Sequence, residues 1–396
     1  MSFQTIKTLN VKDKTILLRA DLNVPKQNNV VTDTTRIDRL KPTIDYLRTQ
    51  GAKVLILSHF GRPEGEQNPE MSLVFLAPVL EQQWQTPVSF SQQCVGNIAQ
   101  DTAKNIKSGD VALLENVRFH KEEKANDPTF AKELASLGDI YVNDAFSASH
   151  RAHASTAGIA HFLPSAAGLL MEEELCALTK ALETPQKPVL AVTGGSKIST
   201  KLGVLENLIE KVDYLVLGGG MANTFLCAQG YDMGRSLLEK DMLDTARRVM
   251  EKAEKIGCEI ILPRDVVAVK ELKENAEHII VDIDQIPSDH MAIDIGNKTI
   301  EYVCEKVRIS KTVVWNGPMG VFEIKPFDNG TNTIAKAVAQ QTQNGECTSI
   351  AGGGDTVAAL ENADSADLFS YISTAGGAFL EWLEGKELPG VQALKK

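Results

Sequence analysis

Two lysines four residues apart end the segment AVTGGSKISTK, residues 191–201, in which an apolar run turns on a glycine pair and delivers Lys197 and Lys201. Glycine turns with ammonium groups suit phosphate, yet the spacing does not satisfy the G-x-x-x-x-G-K-[ST] of a P-loop. The Gly-Lys pair at Gly385-Lys386 is followed by Glu387 and supplies no such lysine either. A second group of cations lies upstream: Arg19, Arg36, Arg62, Arg118 and Arg151, with His59, His120, His150 and His153. Planar guanidinium forks pair with phosphate or carboxylate through two bonds at once, so this set suits a small polyanion. Each arginine alone reads equally well as a salt bridge, and each histidine as a packed, hydrogen-bonded side chain.

These residues follow short apolar runs. TILLRADL, KVLILSHF, VALLENV and IYVNDAF come early; PVLAVTGG, YLVLGGG, TVVWNGPMG, TSIAGGGD and YISTAGG come later, separated by stretches with helical spacing. Alternation of this kind predicts an α/β fold with mainly parallel sheets covered by helices on both faces. Ligands of such sheets sit beyond the carboxyl ends of the strands. The early strands end in cations and polar groups, including Asp21, Asn23, His59, Arg62, Arg118 and Arg151, while Arg19 lies within its run. The later strands end in glycine, at Gly194-Gly195, Gly218 to Gly220, Gly317, Gly320, Gly352 to Gly354 and Gly376-Gly377. Side chains reaching out to grip a small anion suit the first group, and close backbone approach to a larger ligand suits the second. Asp355, next to a helix start, is placed either to hold Mg²⁺ shared with phosphate or to cap the helix, and Thr356 serves either role. Glu323 either accepts hydrogen bonds from a ribose or faces water.

Several function classes are disfavoured. A net charge of −11 argues against a nucleic-acid or membrane surface. The six cysteines stand apart, without metal-ligand spacing, and fit a reducing compartment. With no signal-like start and no run of about 18 apolar residues, a cytoplasmic protein is expected. No nucleophile–base arrangement is recognisable. A nicotinamide dehydrogenase shares the glycine turns, but GGGMAN and GGGDTV place Asn223 and Val357 where G-x-G-x-x-G requires its last glycine. A non-catalytic nucleotide-binding module is the other alternative.

At 396 residues two domains are expected. The boundary falls near residue 187, after the helical pattern of residues 169–188, whose prolines Pro185 and Pro188 end it. Residues 1–170 form a first domain, 171–187 a connecting helix or hinge, 188–378 a second domain, and 379–396 a segment packing back on the first.

Taken in order, RADLNVP, SHFGRP, ENVRFHKEE, NDAFSASHRAHAS, GGSKISTK, LGGGMANTF, WNGPMGVFE, GGGDT and STAGGA resemble the phosphoglycerate kinase family through nearly the whole chain. The resemblance implies two Rossmann-like domains facing across a cleft, joined by a helical hinge, and reversible Mg²⁺-dependent phosphoryl transfer from 1,3-bisphosphoglycerate to ADP. It implies that Asp21, Asn23, Arg36, His59, Phe60, Gly61, Arg62, Arg118 and Arg151 bind the phosphoglycerate. It assigns the nucleotide to Lys201, Gly220, Asn316, Glu323, Gly353, Gly354, Asp355 and Thr356, with Asp355 near the metal. Arg36, Lys197 and Lys201 would contact the migrating group, and a monomer is expected. The chain departs from the family pattern at Ser196, Ala375 and Phe379, none of which removes a charge.

Overall fold

The structure, a computed structural model, describes residues 3–28 and 30–395. It divides into two compact units, Met1–Cys176 with Glu387–Lys396, and Ala177–Lys386. The first contains β1 (Thr15–Arg19), β2 (Lys53–Leu57), β3 (Val88–Ser91), β4 (Val111–Leu114), β5 (Ile140–Asn143) and β6 (Ser165–Ala167). They form one parallel sheet in the order β3-β4-β2-β1-β5-β6. In the second unit, β7 (Val189–Thr193), β8 (Tyr214–Leu217) and β9 (Glu259–Ile261) are followed by β10 (Asp265–Val269), β11 (His278–Asp282) and β12 (Met291–Ile295). They are followed in turn by β13 (Thr312–Asn316), β14 (Thr348–Gly352) and β15 (Tyr371–Ser373). The large sheet is again parallel, β9-β8-β7-β13-β14-β15, while β11-β10-β12 is a small antiparallel sheet.

The central strands are apolar at nearly every position because both faces are covered: all residues of β1, β7 and β13 are buried. Parallel pairing requires every strand of a sheet to end at the same edge. Residues 20–24, 58–62, 115–120 and 144–155 are therefore gathered at one edge of the first sheet. Residues 194–201, 218–220, 317–323 and 353–356 are gathered at one edge of the second.

The chain between the units is helix α2 (Leu169–Leu182), α1 being Thr35–Thr49. The division falls inside α2, between Cys176 and Ala177, not at the expected limits of residues 171 and 187. The carboxy-terminal segment is also divided differently from the expected 379–396. Helix α6 (Gly376–Leu383) follows α3 (Leu202–Leu208), α4 (Gly219–Ala228) and α5 (Gly354–Asn362) in the second unit, where Asn207 donates to the Leu383 carbonyl at 2.7 Å. Only the last ten residues belong to the first unit; there Gly390 N–H donates to Ser149 O at 2.8 Å, and Asn143 Nδ2 to Gly390 O at 3.3 Å.

Phe379 on α6 is fully buried against β14, and a Cβ at Gly352 would lie 2.6 Å from its ring. Gly352→Ala therefore overpacks this contact, and urea unfolding should show a loss of about 1–3 kcal/mol. Adding Phe379→Leu should restore part of that loss; an unchanged midpoint for Gly352→Ala contradicts the packing described.

Candidate functional site

At the edge of the first sheet, a short stretch after β1 meets the first turn of α1. Arg36 Nη1 donates to Asp21 Oδ2 at 2.6 Å and to the Asn23 carbonyl at 3.1 Å. Asp21 also accepts from the Ser147 hydroxyl and from Asn23 N–H at 3.1 Å. Burial opposes the charge on Asp21, but Arg36, His59, Ser147 and the Asn23 amide outweigh it and hold the carboxyl below the usual carboxylate range. Asn23 Oδ1 accepts from Gly61 N–H at 2.9 Å, and Arg118 Nη1 donates to the Gly61 carbonyl at 3.0 Å. Four strand ends are thus tied into one surface.

The bonds leave donors unspent. Arg118 Nε is buried without a hydrogen-bond partner among the described residues. His59, 6% exposed, has one hydrogen bond, between Nδ1 and Arg19 Nη2 at 2.9 Å. Arg62 and Arg151 are exposed and act through charge: Arg62 adds to the positive field at Arg118 and Arg151 to that at His153. Burial first, then Arg118, Arg19, Arg151 and His150, push His153 down to about 4. His120 packs on Phe130, with ring centroids 4.9 Å apart. Phe60 packs its ring against Phe75, with Lys26 above both, so only its backbone serves the edge, through a bond from Asn116 Nδ2 at 2.8 Å. Arginines thus outnumber carboxylates along this edge.

The second edge is a pocket of about 540 Å³ lined by Gly194, Gly195, Lys201, Gly220, Asn316, Glu323, Gly353, Gly354, Asp355 and Thr356, among others. Lys201 Nζ donates to Gly194 O at 2.7 Å, Asn316 O at 3.1 Å and Asn316 Oδ1 at 2.7 Å. Asn316 Nδ2 donates to Gly352 O at 2.7 Å, and Thr356 Oγ1 accepts from Gly317 N–H at 2.7 Å. Burial lowers the Lys201 ammonium to about 8, with Asp355 working in the opposite direction. The glycines are required by close approach: a Cβ at Gly194 would sit 1.7 Å from Pro318 O, and one at Gly353, where φ is +100°, 2.8 Å from Asn316 Nδ2. Asp355 and Glu323 are exposed at the pocket wall.

Lys197 is exposed and is not part of this lining. Residues 194–201 form an irregular turn ahead of α3, so a spacing of four does not place both lysines on one face. Sequence reasoning also missed Ser147, which fixes Asp21, and the apolar wall of Leu237 and Leu272, 58% and 43% exposed. Two large apolar side chains left exposed at a polar pocket mark a surface for a flat apolar group. In the sequence they sit among charged residues and carry no periodic signal.

A family model described as Phosphoglycerate kinase matches residues 6–386. A phosphoglycerate kinase of Rhodospirillum centenum is 60% identical over 394 residues, covering 100% of both chains. The solved structure of phosphoglycerate kinase from Coxiella burnetii is similar with a TM-score of 0.93 at 45% identity, covering 99% of each chain. That from Pyrococcus horikoshii OT3 has a TM-score of 0.80 at 33% identity, covering 99% of this chain and 98% of that one.

The Lys201 geometry generates a pH dependence. With its ammonium lowered to about 8, Lys201 is charged below that pH and neutral above it, and a bound phosphate favours the charged form. The affinity for ADP, measured by calorimetry, should fall as pH rises from 7.5 to 9, and Lys201→Met should bind more weakly and lose that slope. A flat profile in the unaltered protein contradicts the assignment.

Proposed function

Because the chain belongs to the phosphoglycerate kinase family, we propose that its two sheet edges divide the reactants of the family's reaction between them. That reaction is the reversible glycolytic transfer of a phosphoryl group between 1,3-bisphosphoglycerate and ADP, by a kinase with a carboxyl group as acceptor. The phosphoglycerate belongs at the first edge, on Asp21, Asn23, Arg36, His59, Gly61, Arg62, Arg118 and Arg151. The nucleotide belongs in the 540 Å³ pocket, on Lys201, Gly220, Asn316, Glu323 and Gly353 to Thr356. The contrast that carries this reading is between a cluster of arginines at one edge and, at the other, backbone packed closely around an ammonium group.

The nucleotide arrives with Mg²⁺ as part of the substrate. Among the described residues no group of three or more His, Cys, Asp or Glu could hold a metal unaided. One exposed carboxylate, Asp355, fits a metal held mainly by phosphate oxygens and water.

The chemistry asks little of acids and bases. A β-phosphate oxygen of ADP attacks the phosphorus of the acyl phosphate, the bond to the acyl oxygen breaks, and the carboxylate leaves with the electron pair. Both oxygens are weakly basic, so no side chain needs to take a proton. What lowers the barrier is alignment and neutralisation of a loosely bonded, metaphosphate-like group. Arg36 and Lys201 supply that charge, and exclusion of water protects the acyl phosphate from hydrolysis. Lys197 joins them if its exposed turn rearranges on binding. A cytoplasmic monomer completes this reading: a monomer is what the family suggests, the six cysteines are free thiols, as in a reducing compartment, and the charge of −11 offers nothing to nucleic acid.

A coupled assay with ATP, Mg²⁺ and 3-phosphoglycerate tests the proposal. Arg36→Ala and Lys201→Ala should each lower kcat by about 10²–10³-fold, the scale of one lost transition-state donor. The Lys201 variant should still bind 3-phosphoglycerate. Near-normal turnover in either variant contradicts the roles given to them.

A further inference from the structure

Arg19 is a charged group that the transfer step leaves unused. It lies on β1 and is 0% exposed. Its Nε donates to Ser155 Oγ at 2.9 Å, its Nη1 to the Ala20 carbonyl, and its Nη2 lies 2.9 Å from His59 Nδ1. The Ser155 hydroxyl in turn donates to Glu123 Oε1 at 2.6 Å, and Ser155 N–H donates to Glu123 Oε2 at 2.8 Å. Glu123 is also 0% exposed. A buried chain thus runs from Glu123 through one hydroxyl to the Arg19 guanidinium and on to His59, so that the buried cation and anion balance without touching.

A guanidinium carries five N–H donors and no acceptor. The His59 nitrogen facing it must therefore offer a lone pair, and a neutral ring then carries its proton on Nε2. Nε2 makes no hydrogen bond within the described residues and is not among the enclosed polar atoms. Were the proton on Nδ1, Nε2 would present a lone pair, which repels an anion.

We propose that Arg19 is a positioning residue for the phosphoglycerate edge: its donor-only guanidinium fixes His59 as the Nε2–H tautomer and so makes that ring a hydrogen-bond donor to an oxygen of the ligand. The inference rests on the reading that phosphoglycerate occupies this edge. The groups facing His59 are Arg19 on β1, Asp21 beyond it, Arg118 in the turn after β4, and His153 in the segment after β5. Burial, then Arg19, Arg118 and His153, disfavour the imidazolium; Asp21 alone among these opposes them, and the ring is held well below its usual titration range.

The direct test is two-bond nitrogen–proton NMR on the full chain labelled at histidine. His59 should show a bare Nδ1 and a protonated Nε2, unchanged from pH 8 to pH 5.5. An imidazolium, or a proton on Nδ1, overturns the proposal. Arg19→Met leaves Glu123 buried and unbalanced, so the paired variant Arg19→Met with Glu123→Gln is measured beside it. In the paired variant His59 should become a mixture of the two neutral tautomers. The KM for 3-phosphoglycerate should rise about 10–100-fold, the scale of a lost hydrogen bond to a charged group, with the KM for ATP unmoved. Arg19→Lys, which also offers donors only, should restore the Nε2–H signature. An unchanged tautomer in the paired variant, or a lost tautomer with an unchanged KM for 3-phosphoglycerate, overturns the role. The NMR signature is read without turnover, so a protein that failed to phosphorylate 3-phosphoglycerate would refute the site assignment and leave the tautomer result standing.

Discussion

Parallel pairing is the constraint on which the rest depends. A strand that runs parallel to its neighbours must end where they end, and in each large sheet this collects short segments distant in sequence onto one line. In the first unit Asp21, Gly61, Arg118 and Ser147 come from four separate strand ends, and hydrogen bonds join them through Arg36 and Asn23. In the second unit the same constraint brings Gly194 against Pro318 and Gly353 against Asn316, at separations that only glycine allows.

The two edges handle charge in opposite ways. At the first, arginines are held by a few well-placed acceptors: Asp21 keeps Arg36 in place, and Glu123 balances Arg19 through Ser155. At the second, a single ammonium group is satisfied by carbonyls and an amide, and burial has already weakened its hold on its proton. On the proposed assignment, an incoming phosphate replaces neutral partners with a charged one.

The sequence was legible where physics is local and repetitive. Strands such as Thr15–Arg19 and Thr312–Asn316 are buried on both faces and read directly as apolar runs. The edge strands Val88–Ser91, Ser165–Ala167 and Glu259–Ile261 are short and interrupted by polar or small residues and escape that pattern, as do the strands of the small antiparallel sheet outside the strand–helix alternation. Strand ends pointed to Asp21, His59 and Arg118, but not to Arg36, because it lies on a helix and is tied to the edge by side chains from elsewhere in the chain. Lys197 and Lys201 stand four residues apart, but the segment is a turn, and only Lys201 lines the pocket. Arg19 looked minor because it stands inside its strand; its burial and donor-only chemistry are tertiary facts.

The central claim is that each sheet edge holds one reactant. Amide NMR titrations of the labelled protein with each ligand alone test it most directly. With 3-phosphoglycerate, the amides of Asn23, Gly61 and Arg118 should shift while those of Gly195, Gly317 and Gly353 stay in place, and Mg²⁺ with ADP should give the reverse. Either ligand shifting the other's set and sparing its own at saturation would contradict the division of labour described.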